Sequence, residues 1–176
     1  MPQFLNELKN RNSKIYQILV FSDNLQCLNG NNIKHHQGLR GMVTSPFYPK
    51  NYPPSQQCHN IISVPTGMII FLRLHEFDLT ESSGKHWSSC KDAFDYIEIR
   101  TGKTLSASSV ARFCSGHKPP ITQLFMATNI ILSFISDSFS TSTGFNVSYF
   151  AVPLNCKFFR NICILLSRPS LLSILF

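Results

Sequence analysis

The chain has 176 residues, six cysteines, 15 phenylalanines and a net charge of +7 at neutral pH. That length holds one domain with a packed core plus tails, and the apolar content excludes a disordered chain. The charge does not mark a nucleic-acid binder: residues 27–152 carry ten Lys/Arg against seven Asp/Glu, and the bases are scattered without interleaved aromatics.

Residues 1–26 are polar and basic to Lys14, then apolar from Ile15 to Phe21. Lys9, Arg11 and Lys14 could serve as the n-region of a signal peptide. However, Gln17 interrupts the apolar run and no A-x-A-like site follows, so a leader or linker is expected. Residues 27–152 read as short strands split by turn residues. SPFYPKNYP (45–53) has three prolines and is expected to be a rigid loop outside any strand ladder. Met68–Leu74 is an apolar strand after the turn Pro65-Thr66-Gly67. Tyr96–Arg100 alternates, with Ile97 and Ile99 on one face and Tyr96, Glu98 and Arg100 on the other. Ile130–Ile135 is a further strand, ending at Ser136-Asp137. Phe145, Val147 and Tyr149 alternate against Asn146, Ser148 and Phe150. This spacing predicts an all-β sandwich or barrel. Residues 153–176 form an irregular apolar tail. Arg168-Pro169 breaks the run Ile162–Phe176, which is too short for a membrane span and unlike a lipid-anchor signal.

The cysteines point to an oxidising, extracellular compartment. No C-x-x-C pair and no zinc-type Cys/His spacing is present, so disulfides are expected, each stabilising by roughly 3–4 kcal/mol. Cys27, Cys58, Cys90 and Cys114 fall within the strand-rich stretch and allow three pairings. Cys156 and Cys163 lie in the tail.

Enzyme signatures are missing: no G-x-S-x-G, no phosphate-binding Gly-rich loop and no serine–histidine–aspartate frame. The chain is expected to be non-catalytic. His35-His36 and the HEFDL histidine, His75, suit structural roles. Asn146-Val147-Ser148 is a glycosylation sequon. Six of the seven acids of residues 27–152 fall between Glu76 and Glu98, the seventh being Asp137. Asp95 shares the phase of Ile97 and Ile99, and an inward carboxylate needs a cation or several donors.

The motif order resembles that of a CUB domain, the extracellular module found in complement proteases, tolloid-type proteases, neuropilins and cubilin. The shared elements are a cysteine followed by SPFYPKNYP, a second cysteine, Pro65-Thr66-Gly67 before an apolar strand, and FDL before the third cysteine. DYIEIRTG, RFCSG, TNIILSFISD and GFNVSYF then follow in order. The resemblance covers residues 27–152. It implies a jellyroll-like β-sandwich of two antiparallel sheets with two disulfides, Cys27–Cys58 and Cys90–Cys114. Departures from the pattern are Asn60 at a usually aromatic place, a longer link from Cys90 to Asp95, and an extra serine before Gly116.

Many such modules bind calcium, and the resemblance carries that role to Asp95, Asp137 and Glu81, with a backbone carbonyl of Phe139. Thr80 stands where the family has its glutamate, with Glu81 beside it, and Phe139 replaces a common serine. Hard Ca2+ wants six to eight oxygens, so carbonyls and water would complete the shell. The implied function is extracellular protein binding, through an acidic site that engages a Lys or Arg of the partner. The alternatives are a calcium-free module that binds glycan or sulfated polysaccharide, and a fragment of a multidomain secreted protease or receptor.

Overall fold

A computed structural model of the chain describes residues 32–80, 90 and 93–154. The expected leader 1–26, Cys27, Glu81, Cys156 and Cys163 lie outside the described residues. The strands are β1 (Asn32–Gln37), β2 (Arg40–Thr44), β3 (Gln57–Ser63), β4 (Met68–Asp78), β5 (Tyr96–Thr101), β6 (Ser109–Phe113), β7 (Thr122–Phe125), β8 (Asn129–Ile135) and β9 (Gly144–Pro153). They form two sheets, β1-β3-β8-β5-β6 and β2-β9-β4-β7. Both are antiparallel except at one edge, where β1 lies parallel to β3. Among the described residues no helix is long and apolar enough to cross a membrane.

Alternation sets the core. Ile62 of β3, Ile70 of β4, Ile130 and Phe134 of β8, and Phe145 of β9 are fully buried between the sheets. Each such side chain contributes roughly 1.5–3 kcal/mol by leaving water. The opposite face of β9 and β4 carries a smaller apolar cluster of Ile69, Phe71 and Val152, with Phe150 beside it.

Strand β4 runs four residues past the apolar stretch that marks it in the sequence. A register shift against β9 between Leu74 and Glu76 makes this possible. A bulge adds one residue and so reverses the inside–outside phase. Ile70 and Leu72 face the core before it; Phe77 and Leu79 face the core after it. The shift therefore delivers Thr80, the residue after Leu79, to the loop end of the sandwich where Asp95 immediately precedes β5.

Cys90 and Cys114 are joined in a disulfide across 24 positions. Cys58 is also disulfide-bonded; its expected partner, Cys27, is among the residues not described.

Candidate functional site

The loop SPFYPKNYP connects β2 to β3. The Tyr48–Pro49 peptide is cis. The loop is pinned to the start of β9 and the segment before it: the Ser45 amide donates to the Phe145 carbonyl (3.0 Å) and the Tyr52 amide to the Ser142 carbonyl (3.0 Å). This sends the Tyr52 ring into the core, where it is fully buried and meets the Phe134 ring edge-on with centroids 5.0 Å apart. The loop is thus outside the ladder, as its prolines require, but it is not only a spacer.

Tyr52, Thr80, Asp95 and Asp137 meet at this end of the sandwich. Asp95 is 1% exposed. Its Oδ2 accepts from the Tyr52 hydroxyl at 2.5 Å and from the Thr80 hydroxyl at 2.5 Å. Its Oδ1 accepts from the Asp137 amide at 2.8 Å. The Thr80 amide donates in turn to the Tyr52 oxygen at 3.1 Å. Burial, then the hydrogen bond to Asp95, pushes the Tyr52 phenol well above its ordinary range, so it stays protonated and remains a donor.

Asp137 opens the turn after β8. Its Oδ1 accepts from the Phe139 amide (2.9 Å) and the Ser140 amide (3.3 Å). Ser136 ties that turn to the proline loop: its Oγ accepts from the Gln56 amide at 2.9 Å. The Ser55 amide donates to the Asp137 carbonyl.

The other acids scatter. Glu76 accepts from the Tyr48 hydroxyl at 2.5 Å. Asp78 accepts from Ser142 and from Thr143. Glu98 pairs with Arg100 and, at 3.0 Å, with Arg112 on the outer face of the five-stranded sheet. The acidic stretch of the sequence is therefore not one patch, and of its described members only Asp95 joins Asp137. No group of three or more metal-ligating side chains occurs among the described residues. Glu81, the third expected ligand, lies outside them.

Asp95 has no ion-pair partner among the described residues, whose salt bridges both belong to Glu98. Three neutral donors satisfy its hydrogen bonds without neutralising its charge. Among the described residues its side-chain partners are hydroxyl oxygens and the acid bonded to it through its amide is Asp137, an oxygen-rich set of the kind a hard divalent cation takes.

Tyr52 and Thr80 were not legible as partners of Asp95, which lies 43 and 15 positions away. The only signal was the rigidity of the proline loop and a threonine at a place where the related pattern has a carboxylate. Phe139 contributes its amide to Asp137, while its ring is 88% exposed. Asn146 is the third residue of β9, opposite Thr44 and Glu76, half-buried, and its Oδ1 is a buried acceptor without a partner among the described residues. The Ser148 hydroxyl of the sequon is 2.7 Å from His75 Nε2. His36 meets Asn60 at 2.9 Å and His59 meets Ser133 at 2.9 Å.

The CUB domain family model matches residues 30–149. Tolloid-like protein 2 of Mus musculus is 32% identical over 117 residues, 66% of this chain and 11% of that protein. Cubilin of Canis lupus familiaris is 31% identical over 148 residues, 84% of this chain and 4% of that protein. The chain thus spans a small part of the curated relatives it matches. Among solved structures, a MASP-1 CUB2 domain bound to Ca2+ superposes with a TM-score of 0.54 at 28% identity, covering 69% of this chain and 98% of that one. The extracellular region of zebrafish Gpr126/Adgrg6 superposes with a TM-score of 0.55 at 30% identity, covering 71% of this chain and 15% of that one.

Proposed function

The chain belongs to the CUB domain family, and from that premise we propose that it is a non-catalytic module that binds protein partners outside the cell. We propose further that binding depends on calcium and engages a Lys or Arg of the partner. The observation that carries this reading is the buried Asp95 carboxylate, held among the described residues by three neutral donors. The likeness to a MASP-1 CUB2 domain solved with Ca2+ supports it.

Asp95, Asp137 and Glu81, with the Phe139 carbonyl, would hold the ion. Calcium would neutralise the buried charge and orient the carboxylates. Carboxylate oxygens turned outward then accept the partner's ammonium or guanidinium, a charge-assisted contact stronger than a neutral one. Tyr52 and Thr80 fix the Asp95 plane through Oδ2. The Asp137 amide fixes Oδ1 and couples the two acids.

Isothermal titration of chelator-treated protein with calcium tests this directly. A single site is expected, lost in Asp95→Ala. Absence of heat, or heat unchanged by that substitution, counts against it.

One observation favours the second reading, a calcium-free module that binds sulfated polysaccharide. Asp95 already accepts three hydrogen bonds, and Asp137 Oδ1 accepts two. Retention on a heparin column that falls with salt and ignores chelator would support this alternative. Carbohydrate on Asn146 is part of the extracellular reading; a glycosidase-sensitive mobility shift absent from Asn146→Gln tests it.

A further inference from the structure

The four-stranded sheet has an outer face turned away from the core. On β4 that face carries Ile69 and Phe71, and on β9 it carries Phe150 and Val152, alternating with the residues that point into the core. Register places Ile69 opposite Val152 and Phe71 opposite Phe150. On the other side of Phe71 stands Leu124 of β7, which is exposed. An antiparallel sheet commonly leaves such a face to water. Here Ile69 is 5% exposed, and Phe71 and Val152 are each 6% exposed. Among the described residues, the one partly buried apolar side chain packed on this cluster is Phe150. The described strands form two sheets and no third layer, so no described strand lies over the face. These side chains are buried within a single chain, and their cover therefore belongs to that chain.

Attachment points decide which stretch supplies it. The cluster lies where β4 starts and β9 ends, with Met68 opposite Pro153, far from Asp95. Residues 81–89 leave the other end of β4. Ile69 and Thr80 are eleven positions apart, roughly 30 Å along a strand. The chain must be back at Cys90, whose disulfide to Cys114 holds it at the Asp95 end, where Phe113 pairs with Ile97. Ten positions separate Thr80 from Cys90, a reach of about 35 Å at full extension and too short for the path out and back. Residues 1–31 enter β1 at Asn32, on the edge of the other sheet. That entry is also at the Asp95 end, since Asn32 lies opposite Cys58, and the adjoining Gln57 and Tyr96 both face Ile135. Residues 155–176 leave from the cluster itself. The Leu154 amide donates to the Gly67 carbonyl at 2.9 Å and fixes the exit two residues after Val152. The sequence that follows is apolar, with Phe158, Phe159, Ile162 and Ile164. Val152 and Phe150 are only roughly 7 Å apart along the strand, so a short returning stretch spans the cluster.

We infer that residues 156–166 dock on the outer face of the four-stranded sheet, over Ile69, Phe71 and Val152. Burial of apolar surface drives the docking, and the short connection from β9 keeps its entropic cost low. A seated tail closes this face to any other partner. The contact is independent of the calcium site, which lies at the opposite end of the sandwich.

The test uses the full chain with the photoreactive residue p-benzoylphenylalanine in place of Leu124. Leu124 is exposed, so the replacement leaves the core intact. After irradiation at micromolar concentration, mass spectrometry of the digest is expected to join position 124 to residues 156–166 of the same molecule. The same photoreactive residue in place of Val110, exposed on β6 of the other sheet, should not reach them. Phe158→Asp combined with Phe159→Asp changes no residue of the described strands. The pair should lower the yield of the tail cross-link severalfold and raise binding of anilinonaphthalene sulfonate, a dye for exposed apolar surface, by a similar factor. Cross-links from position 124 to residues 1–31, a cross-linked dimer, or no cross-link at all would overturn the inference. So would a tail cross-link and a dye signal that the two aspartates leave unchanged.

Discussion

The Tyr52 hydroxyl donates to Asp95 Oδ2 at 2.5 Å, from a ring fully buried in the core. The contact welds the proline loop to the first residue before β5. Tyr52→Phe keeps the ring and its edge contact with Phe134 but leaves Thr80 as the remaining donor to Oδ2. Losing a donor to a buried charged acceptor costs about 1–3 kcal/mol. Urea denaturation in chelator should show that loss, with an unchanged slope. A variant as stable as the parent would mean that the bond carries no net stability.

The Cys90–Cys114 disulfide closes a loop that contains β5 and β6, across 24 positions. Chain-entropy reasoning gives about 3.5 kcal/mol for a loop of that size. Replacing both cysteines by alanine should lower stability by this order and should also loosen Asp95, five residues after Cys90. Calcium affinity and the denaturation midpoint are therefore expected to fall together. A large loss of stability with calcium affinity untouched would show that Asp95 is held by Tyr52, Thr80 and the Asp137 amide alone.

The strand pattern was largely legible in the sequence because alternation is a local property. Ile97 and Ile99, then Ile130, Leu132 and Phe134, and then Phe145, Val147 and Tyr149 all face the core at alternate positions. Asp95 is buried, as its phase with Ile97 requires. The bulge in β4 was not legible, because Leu74-His75-Glu76 carries no turn residue and the phase reversal is fixed by pairing with distant β9. The parallel β1 edge escaped for a similar reason: its register is set by β3, some two dozen positions away. At the site, charge and phase marked Asp95. Its donors could not be read, because the proline loop returns to it through bonds to distant residues, among them Ser142, Phe145 and Ser136. Glu98, placed by phase on an outward face, is nevertheless buried, since Arg100 and Arg112 cover it.

Stability should depend on pH in two steps. His36, His59 and His75 all have pKa values lowered from the ordinary histidine value, each first by burial. A histidine with a lowered folded pKa binds fewer protons folded than unfolded. Stability is therefore level above about pH 6.5 and falls as pH drops below it, until the lowered folded values are passed. A second loss follows at lower pH. Glu98 is pushed up by burial, but bonds from Ser109 and Arg112 and the charge of Arg100 outweigh this and lower its pKa. Asp78 is lowered first by the Ser142 hydrogen bond. Their stability is present above the ordinary carboxylate range and is lost as pH falls through the lowered values. Denaturation midpoints from pH 8 to about pH 3 should trace both steps. His59→Gln should shrink the first step, and Glu98→Gln the second. A midpoint flat between pH 7 and about pH 5 would exclude the histidine step.

Gly144 opens β9 with φ +86°, and a Cβ there would fall 1.9 Å from Ser45 Oγ and 3.2 Å from Tyr52 Cδ1. The Ser45 hydroxyl cannot readily give way, since its oxygen accepts from the Phe145 amide at 3.1 Å. Gly144→Ala therefore meets backbone strain and a clash together. Left-handed strain alone costs roughly 1–2 kcal/mol, so a total loss above about 2 kcal/mol is expected. Ser45→Gly removes the hydroxyl and Cβ that the new methyl strikes. The double variant should then lose less than the sum of the two single losses, a positive coupling between touching sites. The methyl also presses on the Tyr52 ring, so Gly144→Ala should weaken calcium binding more than its distance from Asp95 suggests. Equal stability of Gly144→Ala and parent would show that the loop before β9 shifts freely. In that case it could not be what holds Tyr52 against Asp95.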